Sequence, residues 1–348
     1  MIINVETNLI GATALVIAVA AAISAGLCVL LRPIFIRYAL ARPNARSSHR
    51  VATPQGGGIA VIGATIGALF FATFIFPGML VYSAALIALL AATAGLAIVG
   101  MADDIHPLGV APRLLLQAFA VAVVIMTLPE ELRVVHALPW WLERALLVLG
   151  GMWFVNAVNF MDGIDWMTVA EVIPVTAALA IFGLIGALPR DAALVSIALC
   201  GAVAGFAPYN RPIARLFLGD VGSLPIGLLL GWPLTELAGR GHLTAALLLP
   251  LYYLADASIT LIRRLAKGET IAQAHRSHFY QRAMDNGMLV HQIVGAVFVV
   301  NLILAALAAA TILNPSPAFR AVMLVCGSAI VGVLLWMFAR KRRLAGAG

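Results

Sequence analysis

The chain has 348 residues, of which 63% are hydrophobic and 11% charged, and its formal net charge is +7. A soluble domain carries about 25% charged residues, so this composition argues against an ordinary soluble protein and indicates a surface that largely faces lipid. A basic excess in a soluble protein would raise the question of nucleic acid, but here the positions of the charges explain the excess in another way.

Eleven apolar segments are candidates for membrane spans, since a helix needs about 20 mostly apolar residues to cross a bilayer. They cover 9–31, 58–76, 81–101, 114–128, 145–161, 168–188, 192–209, 218–237, 243–262, 290–312 and 319–339. None alternates like a barrel strand, and helices are the other way to satisfy backbone groups in lipid. We predict an all-α, polytopic helical bundle of about eleven spans, forming one domain over residues 1–348. The first segment is too long for a signal peptide and is predicted to be a retained span.

The basic residues predict the orientation of these spans. With the N-terminus outside, 17 of the 22 Lys and Arg residues fall in inner segments and five in outer segments. Cytoplasmic loops carry an excess of Lys and Arg, so we expect the N-terminus outside and the C-terminus in the cytoplasm. Topology therefore accounts for the charge, and we predict no nucleic-acid partner.

Unusual polar clusters all fall on the predicted inner side. We expect the cytoplasmic loops 32–57, 102–113, 208–219 and 263–289 to form one active site for an anionic substrate and a divalent metal. The first two clusters are Ser47 to Arg50 running into Gly56 to Gly58, and the pair Asp103 and Asp104. Adjacent helical residues do not share a face, so the two aspartates are predicted to have different roles, unless they are only solvated acids at a helix end.

Four polar residues recur every three positions in and after the fifth segment: Asn156, Asn159, Asp162 and Asp165. Neighbours at this spacing lie on one helix face, and such a stripe on an apolar span indicates a functional site. We expect Gly163 to let the helix loosen around a ligand. The alternative is a ladder of interhelical hydrogen bonds.

Asp220 begins the eighth segment between two glycines, where free backbone N–H groups favour phosphate and a carboxylate can hold Mg²⁺. The alternative is an ordinary N-cap aspartate. The loop between the ninth and tenth segments carries His275, Arg276 and His278, which suit an anionic ligand. The alternative is the ordinary excess of basic residues in cytoplasmic loops, which would explain the arginines of this loop but not its two histidines. Asp256, in the ninth segment, either pairs with a neighbour or lines the cavity.

The ordered motifs resemble those of the polyprenyl-phosphate N-acetylhexosamine-1-phosphate transferases, a glycosyltransferase family 4 group related to phospho-MurNAc-pentapeptide translocase. The resemblance runs from about residue 44 to 285. The five matching motifs include Ser48-His49, Asp103-Asp104, the Asn156 to Asp165 segment, Phe217 to Ser223, and Ala274 to His278.

The resemblance implies transfer of a sugar-1-phosphate from a UDP-sugar to undecaprenyl phosphate, with release of UMP, in the bacterial cytoplasmic membrane. It implies Mg²⁺, or alternatively Mn²⁺, near Asp220 and Asn159, and catalytic roles for Asp103, Asp104 and Asp220. The implied substrate-binding residues are His49, Asn156, Asp162, Asp165, Asn210, Phe217, His275, Arg276 and His278. Members of the family can dimerise, and the sequence leaves a homodimer open.

Two departures from the family pattern stand out: the first makes the role of a third aspartate dispensable or carried elsewhere, and the second concerns the substrate. Pro107 stands where the family often has a third aspartate, and the last loop lacks the histidine-rich run of the peptidoglycan translocase. We therefore expect a plainer sugar, such as GlcNAc or a 6-deoxy relative, for O-antigen or another surface polysaccharide, with phospho-MurNAc-pentapeptide transfer as the alternative within the class. A lipid or solute transporter is the alternative outside it. A transporter typically has its site near the midplane within repeated halves, and no internal repeat is visible.

Overall fold

The computed structural model describes residues 2–41, 52–76, 83–270 and 275–341, with side chains described from residue 10 and not for 40 and 41. The described parts are almost entirely helical. The helices are α1 (Ile2–Tyr38), α2 (Gly57–Ile75), α3 (Ala84–Ile105), α4 (Val110–Met126), α5 (Trp140–Met161), α6 (Met167–Leu184), α7 (Arg190–Phe206), α8 (Asp220–Leu237), α9 (Leu243–Leu248), α10 (Leu251–Ala266), α11 (Phe279–Asp285), α12 (Val290–Leu313) and α13 (Pro317–Ala339).

Eight helical segments among the described residues are long and apolar enough to cross a membrane. The prediction of a polytopic helical membrane protein is therefore confirmed. Two further predicted spans coincide with α4 and α7, which are 17 residues long. The predicted span 243–262 is two helices, α9 and α10, because Pro250 between them cannot continue the backbone hydrogen bonding.

The junction of α8 and α9 is a π-helical turn, Ala238–His242. Arg240 and Gly241 have non-helical backbone angles there, so the two helices are separated by a kink although the helical segment is nominally continuous to Leu248. The eighth and ninth predicted spans are thus distinct helices.

Helix α8 lies at the centre of the bundle, with almost every side chain buried, and packs against α2, α3 and α5. Glycines make this close packing feasible. A Cβ at Gly100 of α3 would lie 2.2 Å from the Asp220 carbonyl oxygen, and a Cβ at Gly58 of α2 would lie 2.2 Å from the Gly222 nitrogen. The N-terminal end of α8 is therefore held in backbone contact with two neighbouring helices.

A short ribbon joins two of the loops predicted to form the site. Strand β1 (Leu40–Ala41) pairs antiparallel with β2 (Thr53–Pro54), with Leu40 opposite Pro54. Gln55, the next residue, forms a parallel bridge with Phe217, which lies just before α8. The ribbon consequently connects the loop before α2 to the loop before α8.

Candidate active site

A cavity of about 560 Å³ opens at the end of the bundle where α3 and α5 end and α4 and α8 begin. One part of its wall is polar and the other is apolar. The polar lining consists of Arg113, Asn156, Asn159, Asp220, His275, His278 and Gln281, and the apolar lining of Val110, Leu114, Leu149, Met152, Trp153, Phe160 and Leu261. Polar residues that are far apart in the sequence therefore meet at one place, as predicted.

Asn159 and Asp220 form the centre of the polar wall. The Asn159 Nδ2 donates hydrogen bonds to Asp220 Oδ1 and to Ser223 Oγ, both at 2.8 Å. Asp220 is the first residue of α8, and Gly219, with φ of 78°, occupies the N-cap position. The alternative interpretation of Asp220 as an N-cap is therefore wrong, and its side chain is available to the cavity.

Asp103 and Arg113 extend this polar wall. The Arg113 Nη1 lies 3.0 Å from Asp103 Oδ2 and 3.8 Å from Asp220 Oδ2. Asp103 Oδ1 also accepts a hydrogen bond of 2.6 Å from the backbone of Leu108. One guanidinium thus lies between two carboxylates, and Asp103 is connected through it to the cavity.

Asp104 has a different environment from Asp103, as the sequence predicted. Its carboxylate accepts hydrogen bonds from the backbone N–H groups of Asp220 at 3.0 Å and Val221 at 3.1 Å, and from the side chain of Gln55. These are the groups that a capping residue normally satisfies at a helix N-terminus. Asp104 therefore caps α8 from α3, and its predicted catalytic role remains a prediction.

His275 and His278 form the opposite side of the cavity, with their ring centroids 4.9 Å apart. His278 Nδ1 lies 3.2 Å from Asp256 Oδ1, which resolves the open question about Asp256: it pairs with a neighbour. Arg276 forms an ion pair with Asp285 at 3.1 Å and is absent from the cavity lining.

The predicted stripe from Asn156 to Asp165 is only partly helical. Helix α5 ends at Met161, so Asp162 and Asp165 lie beyond it. Gly163 is required for close approach rather than for a loosened helix, because a Cβ there would overlap the Tyr280 hydroxyl. The regular helix thus ends two residues before Gly163, and of the four polar residues only Asn156 and Asn159 line the cavity.

A second polar group organises the chain between α5 and α8, away from the cavity lining. The Ala214 backbone donates to Asp165 at 2.9 Å, and the Trp166 backbone donates to Asn210 at 2.8 Å. Thr168 donates to half-buried Asp162, and desolvation raises the pKa of Asp162 to about 8. Phe217 exchanges backbone hydrogen bonds with the segment 54–57. The proposed binding of substrate by Asp162, Asp165, Asn210 and Phe217 stays a prediction.

The comparison with known proteins bears directly on this arrangement. Residues 86–238, which include the aspartate pair, Asn159 and Asp220, match the sequence model of glycosyl transferase family 4. This match covers less than half of the chain and shows which family that segment is similar to. The cavity lining lies largely in this matched segment and is completed by Leu261 of α10, by His275 and His278 before α11, and by Gln281 of α11.

The chain is also similar to several proteins named as polyprenyl-phosphate or muramoyl-pentapeptide transferases. It is 29% identical to the decaprenyl-phosphate N-acetylglucosaminephosphotransferase of Mycobacterium tuberculosis, over 72% of the chain and 70% of that protein. It is 26% identical to a probable undecaprenyl-phosphate N-acetylglucosaminyl 1-phosphate transferase of Bacillus subtilis, over 76% of each. It is 28% identical to the phospho-N-acetylmuramoyl-pentapeptide-transferase of Micrococcus luteus, over 56% of the chain and 68% of that protein.

Sequence reasoning overlooked Arg113 as a member of this site and used it only to count charges. Its unusual position is visible only in the structure, because Arg113 occupies the first turn of α4, where the helix dipole disfavours a cation, and the predicted span began at residue 114. Gln117, one turn later, was also overlooked; it accepts a hydrogen bond of 2.6 Å from Asn156. His49 lies outside the described residues, so its predicted role has no structural counterpart here.

The donor atoms fit a hard divalent cation held partly by substrate. No group of three His, Cys, Asp or Glu side chains suited to a metal occurs within the described part of the chain. Mg²⁺, however, is commonly bound through one or two carboxylates together with substrate phosphates. Asp220 supplies a carboxylate on the cavity wall and Asn159 an amide beside it, so these residues are compatible with such a site.

Proposed function

We propose that the chain transfers a sugar-1-phosphate from a UDP-sugar to undecaprenyl phosphate and releases UMP, as the first membrane step of surface polysaccharide synthesis. The observation that carries this proposal is the single cavity lined by Asn159, Asp220, Arg113, His275 and His278. The names of the mycobacterial and Bacillus relatives support the same reaction and favour an N-acetylhexosamine such as GlcNAc.

The two parts of the cavity wall suit the two parts of a lipid phosphate. The apolar residues of α4, α5 and α10 can accept the isoprenoid chain, while the polar side faces its phosphate. A phosphate monoester with a second pKa near 6 is mostly a dianion at pH 7, so it needs little help to act as a nucleophile. Bringing two anions together is the harder task.

In the proposed reaction, an oxygen of the lipid phosphate attacks the phosphorus that carries the sugar. The bond from that phosphorus to the bridging oxygen of UMP breaks, and UMP leaves with the bonding electrons. Arg113, His275 and His278 would bind phosphate oxygens and offset their charge. Asp103 would position Arg113, with which it forms an ion pair. Mg²⁺, held by Asp220 and Asn159, would add further neutralisation of the phosphates.

We infer that the site faces the cytoplasm, where UDP-sugars are made, on the basis of the bias of Lys and Arg residues. The described ends of the helices support a one-sided site: the cavity lies where α3 and α5 end and where α4 and α8 begin. This position at one end of the bundle favours an enzyme over a transporter, whose site typically lies near the bilayer midplane.

A panel of UDP-sugars tests the proposal. Purified protein in detergent is incubated with undecaprenyl phosphate, Mg²⁺ and UDP-GlcNAc, UDP-6-deoxyhexosamines or UDP-MurNAc-pentapeptide, and UMP is measured. We expect UMP from an N-acetylhexosamine donor and none without the lipid phosphate. UMP from the pentapeptide donor alone would instead establish the alternative within the class. Asp191→Asn, at the start of α7 and outside the cavity lining, serves as a control with unchanged turnover.

A further inference from the structure

Asp256 of α10 is completely buried, yet its carboxylate is surrounded by hydrogen-bond donors. Oδ1 accepts from the Phe279 backbone at 2.9 Å and from the Thr260 hydroxyl at 3.3 Å, and it lies 3.2 Å from His278 Nδ1. Oδ2 accepts from the Tyr280 backbone at 3.2 Å and from the Tyr252 hydroxyl at 3.4 Å. A buried carboxylate needs such partners, and here they come from two different helices.

Two of these donors belong to the first turn of α11. Phe279 and Tyr280 are its first two residues, and His278 is its N-cap. Free N–H groups and the partial positive charge at a helix N-terminus favour a carboxylate. Asp256 therefore fixes the N-terminal end of α11 and, with it, His278, which lines the cavity.

The contact with His278 determines which ring nitrogen remains for the cavity. Backbone N–H groups donate to both oxygens of Asp256, so the carboxylate acts as an acceptor here and Nδ1 is the nitrogen that donates to it. Nε2 is then the nitrogen left to face a ligand. The ring is further held by stacking on Tyr280, at a centroid distance of 5.8 Å and an angle of 17°, and by contact with Phe160 at 6.0 Å.

We propose that Asp256 is a positioning residue of the transferase, which orients His278 so that Nε2 points to the diphosphate of the sugar donor. This inference rests on the proposed function and assigns a role to a residue outside the cavity lining. The competing explanation is that Asp256 merely joins α10 to α11. In the first explanation Asp256 affects catalysis only through the imidazole of His278. In the second it affects activity through the packing of the two helices, whatever residue stands at position 278.

A double-mutant cycle separates these explanations. UMP release is measured for the wild type, Asp256→Asn, His278→Gln and the double variant. If Asp256 acts through His278, we expect Asp256→Asn to lower kcat about tenfold or more in the wild type. The same change should alter kcat by less than about twofold in the His278→Gln background, because interacting residues are non-additive. Equal fold-losses in both backgrounds would overturn the proposal.

Tyr252→Phe is the matched control, because it removes one donor to Oδ2 and leaves the Oδ1 contact with His278. We expect its kcat to stay within about twofold of the wild type. A loss as large as that of Asp256→Asn would mean that general packing around the carboxylate determines activity, which contradicts the proposal.

The protonation of the imidazole provides a readout independent of activity. In protein labelled with ¹⁵N-histidine, the His278 signals are assigned by their loss in His278→Gln among the seven histidines of the chain. We expect Nδ1 to be protonated in the wild type, and a proton on Nε2 alone would overturn the inference whatever the activities of the variants. A protein with protonated Nδ1 that releases no UMP would refute the proposed function but leave the Asp256–His278 contact supported.

Discussion

Asn159 near the end of α5 donates a hydrogen bond of 2.8 Å to Asp220 at the beginning of α8, although 61 residues separate them. This contact joins the two most characteristic polar motifs of the chain at one wall of the cavity. It exists because α5 and α8 pack side by side with the end of one beside the beginning of the other. The proposed cation site depends on this pairing.

Asn159→Ala should reduce UMP release by about a hundredfold, because it removes both an amide donor to Asp220 and a proposed oxygen ligand. Ser223→Ala is the matched control, since Ser223 accepts from the same Asn159 nitrogen at 2.8 Å and is otherwise outside the cavity lining. We expect Ser223→Ala to retain most activity. Similar losses in the two variants, measured at matched protein levels, would show that the hydrogen-bond network as a whole matters more than Asn159.

Arg113→Gln should lower kcat by at least about tenfold, because it leaves the carboxylates of Asp103 and Asp220 without their shared cation. Arg113→Lys should recover part of the loss, since it restores the charge but not the paired donors of a guanidinium. Arg190→Gln, exposed at the start of α7, removes the same charge elsewhere and should have no effect. Steady-state kinetics of UMP release test this prediction. A normal kcat for Arg113→Gln would contradict the proposed role of Arg113 in the reaction.

Gly100→Ala should destabilise the protein by about 1–3 kcal/mol, the usual cost of overpacking. The new Cβ would lie 2.2 Å from the carbonyl oxygen of Asp220 and would displace the end of α8. Gly95→Ala in the same helix is the matched control, because no atom of a neighbouring element lies within 4 Å of the position that its Cβ would take. Thermal midpoints in detergent should fall for Gly100→Ala only. An equal change in both variants would indicate a general effect on α3.

Asp162→Asn should stabilise the protein relative to the wild type increasingly as the pH rises from about 4 to 8, above which the difference levels off. The pKa of Asp162 is raised to about 8, so its contribution to stability is fully present below its ordinary pKa and is lost as the pH rises through 8. Asparagine stays neutral and does not incur this loss. The difference in thermal midpoint between variant and wild type should therefore grow with pH. A constant or shrinking difference would contradict the pKa assignment.

The sequence predicted the helical class and the convergence of Asp103, Asn159, Asp220 and His278 because apolar length and charge bias are local signals. It could not predict that Asp104 caps α8, because that role depends on how α3 packs against α8. It also missed Arg113 and left Asp256 undecided, since the partners of both come from other helices. The end of α5 at Met161 was predicted correctly by the span 145–161, whereas its beginning at Trp140 lies before the predicted one.

The most direct test of the central claim is UMP release by purified protein in detergent, with a UDP-N-acetylhexosamine, undecaprenyl phosphate and Mg²⁺, compared with the Asp220→Asn variant. We predict equal amounts of UMP and lipid-linked sugar phosphate from the wild type, none after chelation of Mg²⁺, and less than about 1% turnover by the folded variant. Full turnover by Asp220→Asn would contradict the account, as would movement of substrate across sealed vesicles without any UMP.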